Sequence, residues 1–520
     1  MMKQHKIIFL LFSLMLATPM LTSCDSFFDI KPQSELVGED FWQSKSDVES
    51  SVAACYRALQ EPDAMERFIV WGEVRSDNVI HGTNTNENIN NILNANVDAT
   101  NSYTSWGCIY TVINYCNTVI ANAPSVMERD PNFKQSELRA FLTEAKSIRA
   151  LCYFYLVRTF KDVPFITEPY VGTSRPFQTA QTSETEILDS LTKELEDIAW
   201  QAKAVYASTS NTKRHITQKA VWTLLADMYL WINQYDKCIE ACNKVLNSTT
   251  NPLQLETASA YNQNVFGKGN SKESIFELQF SSDTPDYIVN EMYNSTGGRN
   301  SYNHLSSLEF GKYNTFIDRN SDRRFNDALF GSTSSTIIPI KKYVAYRKES
   351  SASNVTVGDY VANANTQNWI FYRLSDVYLM KAEALVERNG NNDLQEAIDL
   401  VSKSYDRANP SKGTGSLQLS NYNSQTAMRN LVLDERQREF LFEGKRYFDL
   451  LRRARREGSP QTIVANYLMR KYSTQDQATV QSRLATINAL YMPINKDELK
   501  LNQLLVQNPF YVTSSGIEKN

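Results

Sequence analysis

The densest group of residues that could carry out chemistry lies in residues 431–453, which read LVLDERQREFLFEGKRYFDLLRR. The spacing of apolar and charged residues predicts one helix, on which Glu435, Glu439 and Glu443 recur at every fourth position and share a face. Glycoside hydrolases place two carboxyl groups roughly 5–9 Å apart, so acid–base catalysis is one interpretation. The other is structural, with buried ions that compensate each other's charge. Cations stand three or four residues from carboxylates at Arg436–Glu439, Glu443–Arg446 and Asp449–Arg453.

These cations favour the structural interpretation. A neighbouring Arg or Lys stabilises the ionised form of a carboxyl group, whereas a general acid must stay protonated near neutral pH. The aromatic and aliphatic residues of the same run add more apolar surface than an exposed helix needs. We therefore predict that the helix is buried and that its charges are paired with one another.

Other catalytic and metal-binding patterns find little support. The chain has four histidines, and it contains no G-x-S-x-G and no H-E-x-x-H. The acidic stretch 318–327 lacks the alternating ligands and the glycine of a calcium loop, and arginines are interleaved with its carboxylates. We expect no catalytic residues, no cofactor and no metal.

Composition and charge indicate a large folded protein and exclude a nucleic-acid binder. Of the 520 residues, 42% are hydrophobic and 22% charged, and the formal net charge is −4. The chain lacks the basic stripe that holds a phosphate backbone. No Pro-, Gly- or Ser-rich linker divides it, so we predict a single domain over residues 24–520, with halves 24–215 and 216–520. Six cysteines after residue 24 lie in apolar helical patterns without disulfide spacing, and we predict buried free thiols.

Residues 1–23 are typical of a secretory signal peptide. Basic residues precede the apolar run 7–16, which has half of the roughly 20 residues needed to span a bilayer. The sequence Leu-Thr-Ser-Cys that ends at Cys24 resembles a bacterial lipobox, in which the cysteine becomes the acylated first residue. We predict a lipid anchor at Cys24. The alternative is an ordinary signal peptide with an incidental cysteine.

Helical periodicity dominates the rest of the chain, which predicts an all-α, mostly helical fold with long irregular loops and a few short strands. Small residues beside tyrosines, which let two helices approach closely, predict tetratricopeptide-like helix pairs over residues 217–246 and 369–405. Such pairs stack on neighbours to bury their apolar faces. The other predicted elements are an amphipathic helix over 137–160, short strands over 275–280 and 337–347, and an asparagine-rich loop over 83–101.

Eight segments, in this order, resemble the SusD/RagB family of nutrient-binding outer-membrane lipoproteins of Bacteroidota. They extend over nearly the whole mature chain. They are the lipobox with FFDIKPQ, the FW that opens a helix ending in YRAL, TEAKSIRALCYFYLVRTFKDVPFI, AVWTLLADMYLWINQYDKC, ESIFELQF, FYRLSDVYLMKAEAL, ERQREFLFEGKRYFDLLR, and YMPI with QNPFY. The chain departs from the family pattern in two scaffold motifs, with Lys146-Ser147 where Arg-Phe is usual and Lys161 where glycine is usual.

The resemblance implies a fold, a partner and a location. The fold is a helical scaffold of tetratricopeptide-like units with long decorating loops. The partner is a TonB-dependent barrel transporter of the SusC type, over which the lipoprotein sits as a lid. The location is the outer membrane, lipid-anchored and facing the cell exterior, with ligand captured in the loops and no catalysis. We therefore predict a receptor for an oligomeric nutrient, a glycan in the first instance.

Two loop regions combine aromatic rings with amide and carboxylate groups. A sugar ring packs its C–H face on an aromatic side chain, while its hydroxyls need hydrogen-bond donors and acceptors. Exposed loops of this composition suit a glycan. The residues predicted to contact ligand are Asp77, Asn78, His81 and Tyr103 in the first region, and Tyr302, Asn303 and Tyr313, beside His304, in the second.

Three other functions stay open at this point. A receptor of the same import system could bind peptides, which use exposed sheet edges or grooves. A glycoside hydrolase would need two cleft carboxylates with divergent pKa values, and only residues 435–443 offer a dense group. A periplasmic tetratricopeptide scaffold would not be exposed to protease added to whole cells.

Overall fold

A computed structural model of the protein describes residues 41–170, 178–293, 304–313, 315–329, 338–347 and 360–512. α-Helices dominate these residues, which confirms the predicted fold class. The helices of the first half are α1 (Lys45–Leu59), α2 (Pro62–Ile69), α3 (Glu87–Leu93), α4 (Gly107–Val126), α5 (Gln135–Phe160), α6 (Glu184–Ile198) and α7 (Thr209–Arg214). Those of the second half are α8 (Gln218–Trp231), α9 (Tyr235–Leu246), α10 (Tyr287–Tyr293), α11 (Phe310–Tyr313), α12 (Arg324–Ala328), α13 (Leu374–Arg388), α14 (Asp393–Ala408), α15 (Gln425–Glu439), α16 (Arg446–Glu457), α17 (Gln461–Asn466), α18 (Thr474–Arg483) and α19 (Lys496–Leu501).

The strands are short and pair antiparallel, two by two. The pairs within the described residues are β1 (Val79–His81) with β5 (Leu305–Ser307), β2 (Val163–Pro164) with β3 (Gln181–Thr182), β4 (Ser274–Leu278) with β8 (Trp369–Arg373), and β6 (Ala345–Arg347) with β7 (Tyr360–Ala362). Both strands of the β4–β8 pair are buried throughout. They therefore belong to the core, whereas β1 runs from buried Val79 to exposed His81 beside the buried strand β5.

Two tetratricopeptide-like helix pairs stack on each other, as predicted. α8 and α9 form the first pair and α13 and α14 the second, and α9 packs against α13. Asn233 and Asn389 take left-handed φ values of 60° and 53° in the two turns, a conformation that asparagine tolerates better than most residues. Arg388 binds Asp236 of α9 at 3.0 Å and Asp393 of α14 at 2.8 Å. Ion pairs therefore hold the edge of the stack.

The long helix predicted over 137–160 is α5, and it lies at the centre of the first half. Every residue from Ser147 to Phe160 is buried, because α1, α4 and α6 pack around the helix. Lys161 ends it with a φ of 75°. A helix covered on all sides supplies a fixed frame for the loops that leave its neighbours.

Two predicted elements differ from the structure. The asparagine-rich stretch 83–101 contains α3, because the Asn86 side chain accepts a hydrogen bond from the Ile89 amide and caps a helix whose apolar residues are buried. Residues 431–453 form α15 and α16 instead of one helix. Phe442 and Gly444 take φ values of 62° and 68° between them. This turn separates the two helices, although the helical spacing of the charged residues continues across it.

Candidate functional site

The carboxylates of residues 431–453 lie at the centre of a buried ion cluster. Glu435, Glu439 and Glu443 are 0%, 0% and 1% exposed. Arg373 donates to Glu439 Oε1 at 2.6 Å and to Glu443 Oε1 at 2.9 Å. Arg324 donates to Glu435 Oε1 at 2.8 Å and to Glu439 Oε2 at 2.9 Å. The prediction of buried, paired charges is confirmed, but most partners come from other elements, and Arg438, which donates to Glu435 at 2.9 Å, is a partner on the same helix.

Buried cations keep these carboxylates ionised. Burial alone would raise the pKa of Glu439, but the surrounding guanidinium groups, Arg407 foremost, hold it well below its usual range. In the same way, Arg373 and Lys342 offset burial and lower the pKa of Glu443 to about 2. A glycosidase acid needs a raised pKa and access to the polymer. The cluster has neither, so it offers no support for a hydrolase.

Asp77 and Asn78 are also fully buried, and the prediction that they contact ligand is wrong. Asp77 forms an ion pair with Arg446, at 2.7 Å from Nε and 3.1 Å from Nη2. Asn78 donates to Glu73 at 2.8 Å and accepts from Gln437 at 2.9 Å. Burial acts to raise the pKa of Asp77, but the Arg446 charge and hydrogen bonds lower it overall. These residues link the first half of the chain to α15 and α16.

Two predicted aromatic contacts are core residues, so the prediction fails there as well. Tyr103 is buried, and its carbonyl oxygen accepts a hydrogen bond from Trp71 Nε1 at 2.8 Å. Burial raises the pKa of its phenol to about 12. Tyr313 packs its ring against Phe316 and Phe325, with centroid distances of 4.9 and 5.3 Å. Apolar packing, which the polar composition of these segments concealed, decides where both rings lie.

The two predicted loop regions do meet, through the pairing of β1 with β5. His81 lies opposite Leu305 in this ladder. The Gly82 amide and the Thr85 hydroxyl both donate to the His304 carbonyl, at 3.1 and 2.8 Å. His81, Thr83 and Asn84 are exposed, whereas Gly82 between them is buried. We call the surface formed by His81, Thr83, Asn84, Tyr287 and His304 the junction face.

The ring of His304 is oriented by the opposite loop. Its Nδ1 lies 2.7 Å from the Asn84 carbonyl oxygen, and a carbonyl can only accept, so Nδ1 carries the proton. A fixed imidazole beside the exposed Asn84 amide gives the junction face both donors and acceptors.

Tyr287 is a ring of the junction face that the sequence did not reveal. It is 57% exposed at the start of α10. Four residues later on the same helix, the Glu291 carbonyl accepts from the His304 amide at 3.3 Å, so Tyr287 stands one turn from the β5 end of the face. It lies in a polar tract without periodicity, which gave no signal. Of the other predicted residues, Cys24, Tyr302 and Asn303 lie outside the described residues.

Neither a metal cluster nor a membrane span was found in the part of the chain that the structure describes. No group of three His, Cys, Asp or Glu residues there could hold a metal ion. No helix there is long and apolar enough to cross a bilayer. All six cysteines of the described residues have free thiols, and five of them are buried, as predicted.

Comparison with known proteins identifies relatives over most of the chain. A model of the SusD family matches residues 290–511, and a model described as "Starch-binding associating with outer membrane" matches residues 26–230. SusD-like proteins P38 and P2 of Formosa agariphila are each 24% identical to the chain over 87% of its length, and are covered to 92% and 91% of their own.

Solved structures have the same fold at low identity. A SusD superfamily protein from Bacteroides vulgatus superposes with a TM-score of 0.72 at 19% identity, covering 91% of this chain and 100% of that one. The surface glycan-binding protein A from Bacteroides uniformis superposes with a TM-score of 0.68 at 20% identity, covering 90% and 100%. The helical scaffold is therefore shared by proteins whose sequences differ widely.

Proposed function

The chain belongs to the SusD family, and we propose that it is a cell-surface lipoprotein that binds an oligomeric glycan and delivers it to a TonB-dependent SusC-type transporter. One matching family model is described as starch-binding and outer-membrane-associated, and one structural neighbour is a surface glycan-binding protein. Both descriptions favour a glycan over a peptide. Cys24 would carry the lipid that holds the protein at the membrane.

The observation that carries the proposal is the pairing of β1 with β5. It joins two loop regions about 220 residues apart in sequence into one exposed surface. The junction face presents the Tyr287 ring for a sugar C–H face, and the Asn84 amide with two imidazoles for the hydroxyls. The carboxylates needed for cleavage are buried elsewhere, so the face would hold a polymer without cutting it.

A glycan and peptide panel on the soluble form that begins at Asp25 tests this assignment. We expect polysaccharide binding, with Tyr287→Ala weakening it about fivefold, the loss of about 1 kcal/mol of ring contact. His81→Ala, which removes an exposed side chain, should weaken binding with an unchanged melting temperature. Trp200→Ala is the matched control. Trp200 is an exposed ring two residues after the end of α6, beside Arg139 and outside the junction face. If all three variants bind the polysaccharide as tightly as the wild type, the junction face is not the binding site.

The same samples discriminate the other functions. Binding of peptides alone would favour the peptide receptor, and release of reducing sugar from a bound glycan would favour a hydrolase. In whole cells, Cys24→Ser should abolish incorporation of labelled palmitate, and added protease should degrade the wild-type protein. Resistance of the intact-cell protein to protease would favour a periplasmic scaffold. Purification of the native protein from membranes should also recover a barrel transporter.

A further inference from the structure

A cavity lies beside the N-terminus of α4, and none of the residues that line it belongs to the junction face. Its volume is about 260 Å³, and its walls include Trp106, Tyr110, Tyr170, Asn114 and Glu498, with Leu501 at the rim. Pockets that enclose drug-sized ligands measure about 300–1,000 Å³. This cavity therefore has room for one small ring and not for several residues of a polymer.

Hydrogen bonds within the protein fix the walls of the cavity. The Tyr110 hydroxyl donates to the Pro164 carbonyl at 2.7 Å. Asn114 Oδ1 accepts from the Tyr170 amide at 2.8 Å, and Glu498 Oε1 accepts from the Ser105 hydroxyl at 3.1 Å. The Tyr110 ring and the two polar side chains are thus held in place before any ligand arrives, which reduces the entropy lost on binding.

Two polar groups on these walls keep spare hydrogen-bonding capacity. Neither Asn114 Nδ2 nor Glu498 Oε2 has a hydrogen-bond partner among the residues that the structure describes. Glu498 also has no salt bridge to a cation there. An amide donor and a carboxylate acceptor therefore face a cavity whose other walls are largely aromatic and aliphatic.

We propose that this cavity is a second carbohydrate subsite, which takes a single sugar ring such as a chain end or a branch. The class of ligand rests on the proposed function. The aromatic walls suit the C–H face of the ring, while Asn114 and Glu498 bind its hydroxyls. A purely apolar ligand would desolvate both polar groups without replacing their hydrogen bonds, and an anionic ring would be repelled by Glu498.

The cavity and the junction face share one stretch of chain. Residues 99–105 are tied to the α19 segment by the Lys496 amide, which donates to the Ala99 carbonyl at 2.9 Å, and by Asn495, which donates to the Asn101 carbonyl at 3.2 Å. Tyr103, in the same stretch, lies 3.5 Å from Asn86 at the start of α3. The segment before the cavity is therefore linked by hydrogen bonds to the start of α3, which follows Asn84 of the junction face in the chain.

Fluorine NMR on protein labelled with 5-fluorotryptophan tests the subsite directly. Trp106→Phe assigns the Trp106 resonance, and D-glucose, D-glucosamine and D-glucuronate are titrated in the millimolar range. We expect a saturable shift with glucose and glucosamine. Glucuronate should bind about fivefold more weakly, because two like unit charges about 4 Å apart in water repel each other by about 1 kcal/mol. Glu498→Gln should remove this difference, and Asn114→Ala should weaken all three sugars about tenfold.

Controls separate this inference from the proposed function. Asn423→Ala alters an exposed asparagine elsewhere and should leave the sugar titrations unchanged. Tyr287→Ala should weaken polysaccharide binding and leave the Trp106 shift with glucose intact. Polysaccharide binding without any sugar-dependent shift of Trp106 would overturn the subsite and leave the receptor standing. Glucuronate binding as tightly as glucose in the wild type would also overturn it, because Glu498 would then not face the ligand.

Discussion

Asp77→Asn tests whether the Asp77–Arg446 ion pair is structural. Arg446 is fully buried, and its remaining partners would be two neutral oxygens, the Leu433 carbonyl at 2.9 Å and Gln437 Oε1 at 3.1 Å. Removing one member of a buried ion pair costs about 3–5 kcal/mol, because the other charge stays desolvated without compensation. The asparagine keeps the shape of the side chain, but its NH2 group replaces an oxygen that accepts from Arg446 or Gln437, so the loss combines the charge with a hydrogen bond.

The expected change in melting temperature follows from chain length. An unfolding entropy of about 2.1 cal/mol/K per residue gives about 1 kcal/mol/K for 520 residues. We therefore expect Asp77→Asn to lower the melting temperature by about 3–5 °C at pH 7, measured by differential scanning calorimetry. Asp77→Leu combined with Arg446→Met should recover most of this loss, since an apolar pair can replace a buried ion pair at little cost.

An exposed ion pair supplies the matched control. Asp497 and Lys500 lie 3.2 Å apart, and their side chains are 69% and 70% exposed. Asp497→Asn should change the melting temperature by less than about 1 °C, because surface pairs contribute about 0–1 kcal/mol. If Asp77→Asn is as mild as this control, the buried pair does not form. If it is mild and abolishes glycan binding, Asp77 is a ligand contact and our assignment is wrong.

The pH dependence of the same variant has a definite sign. Because the folded pKa of Asp77 is lowered, its contribution is present above the unfolded pKa of about 3.9 and is lost as pH falls through the folded pKa. The difference in melting temperature between wild type and Asp77→Asn should thus shrink as pH falls below about 4. Near pH 7 the difference also varies, because burial lowers the pKa of Lys471 to about 7 and the Asp77 charge acts to raise it. A difference that does not shrink below about pH 4 would contradict the lowered pKa of Asp77.

Three further predictions concern backbone, charge and thiols. A Cβ at Gly72 would lie 1.7 Å from the Gly444 carbonyl oxygen, so Gly72→Ala should give little soluble protein, whereas Gly311→Ala, with no atom within 4 Å of the added Cβ, should express normally. Burial raises the pKa of Asp286 to about 7, so wild-type stability should fall relative to Asp286→Asn as pH rises from about 4 to 7, by at most about 1.4 kcal/mol per pH unit; melting temperatures that run parallel across this range would contradict it. Cys108 is the one partly exposed thiol among the described cysteines, and burial raises its pKa to about 11; a thiol reagent at pH 7 should therefore label the native protein slowly and at Cys108 alone, and the urea-unfolded protein at every cysteine.

The helical scaffold was predictable because its signal is local. The apolar periodicity of 137–160 and the paired helices around Asn233 and Asn389 depend on residues a few positions apart. The turn between α15 and α16 was missed because charges and aromatics continue across it, and only Gly444 marks the break. Its φ of 68° and the contact of its carbonyl with Gly72 are set by packing with a distant segment.

The candidate site was harder to predict because its geometry is non-local. Asp77 and Arg446 stand 369 residues apart, so the sequence shows an aspartate in a polar tract without showing the partner that buries it. The strands β1 and β5 have three residues each, too few for a recognisable pattern. The composition of the two loops therefore indicated two segments that lie side by side in the structure, but it did not show that Tyr103 and Tyr313 are buried.

The buried ions explain why the clustered glutamates give no support for a role in cleavage. The same residue types that a glycosidase uses, clustered glutamates, are here surrounded by guanidinium groups that keep Glu439 and Glu443 ionised. Buried ion pairs add little net stability compared with apolar packing, but each one is satisfied only when its segments lie in one register. Arg373 of β8 and Arg324 of α12 both bind Glu439 of α15, and Arg446 of α16 binds Asp77 beside β1. The cluster thus fixes the position of β1 relative to the second half of the chain, and the junction face can present rings and amides from a frame that does not depend on the ligand.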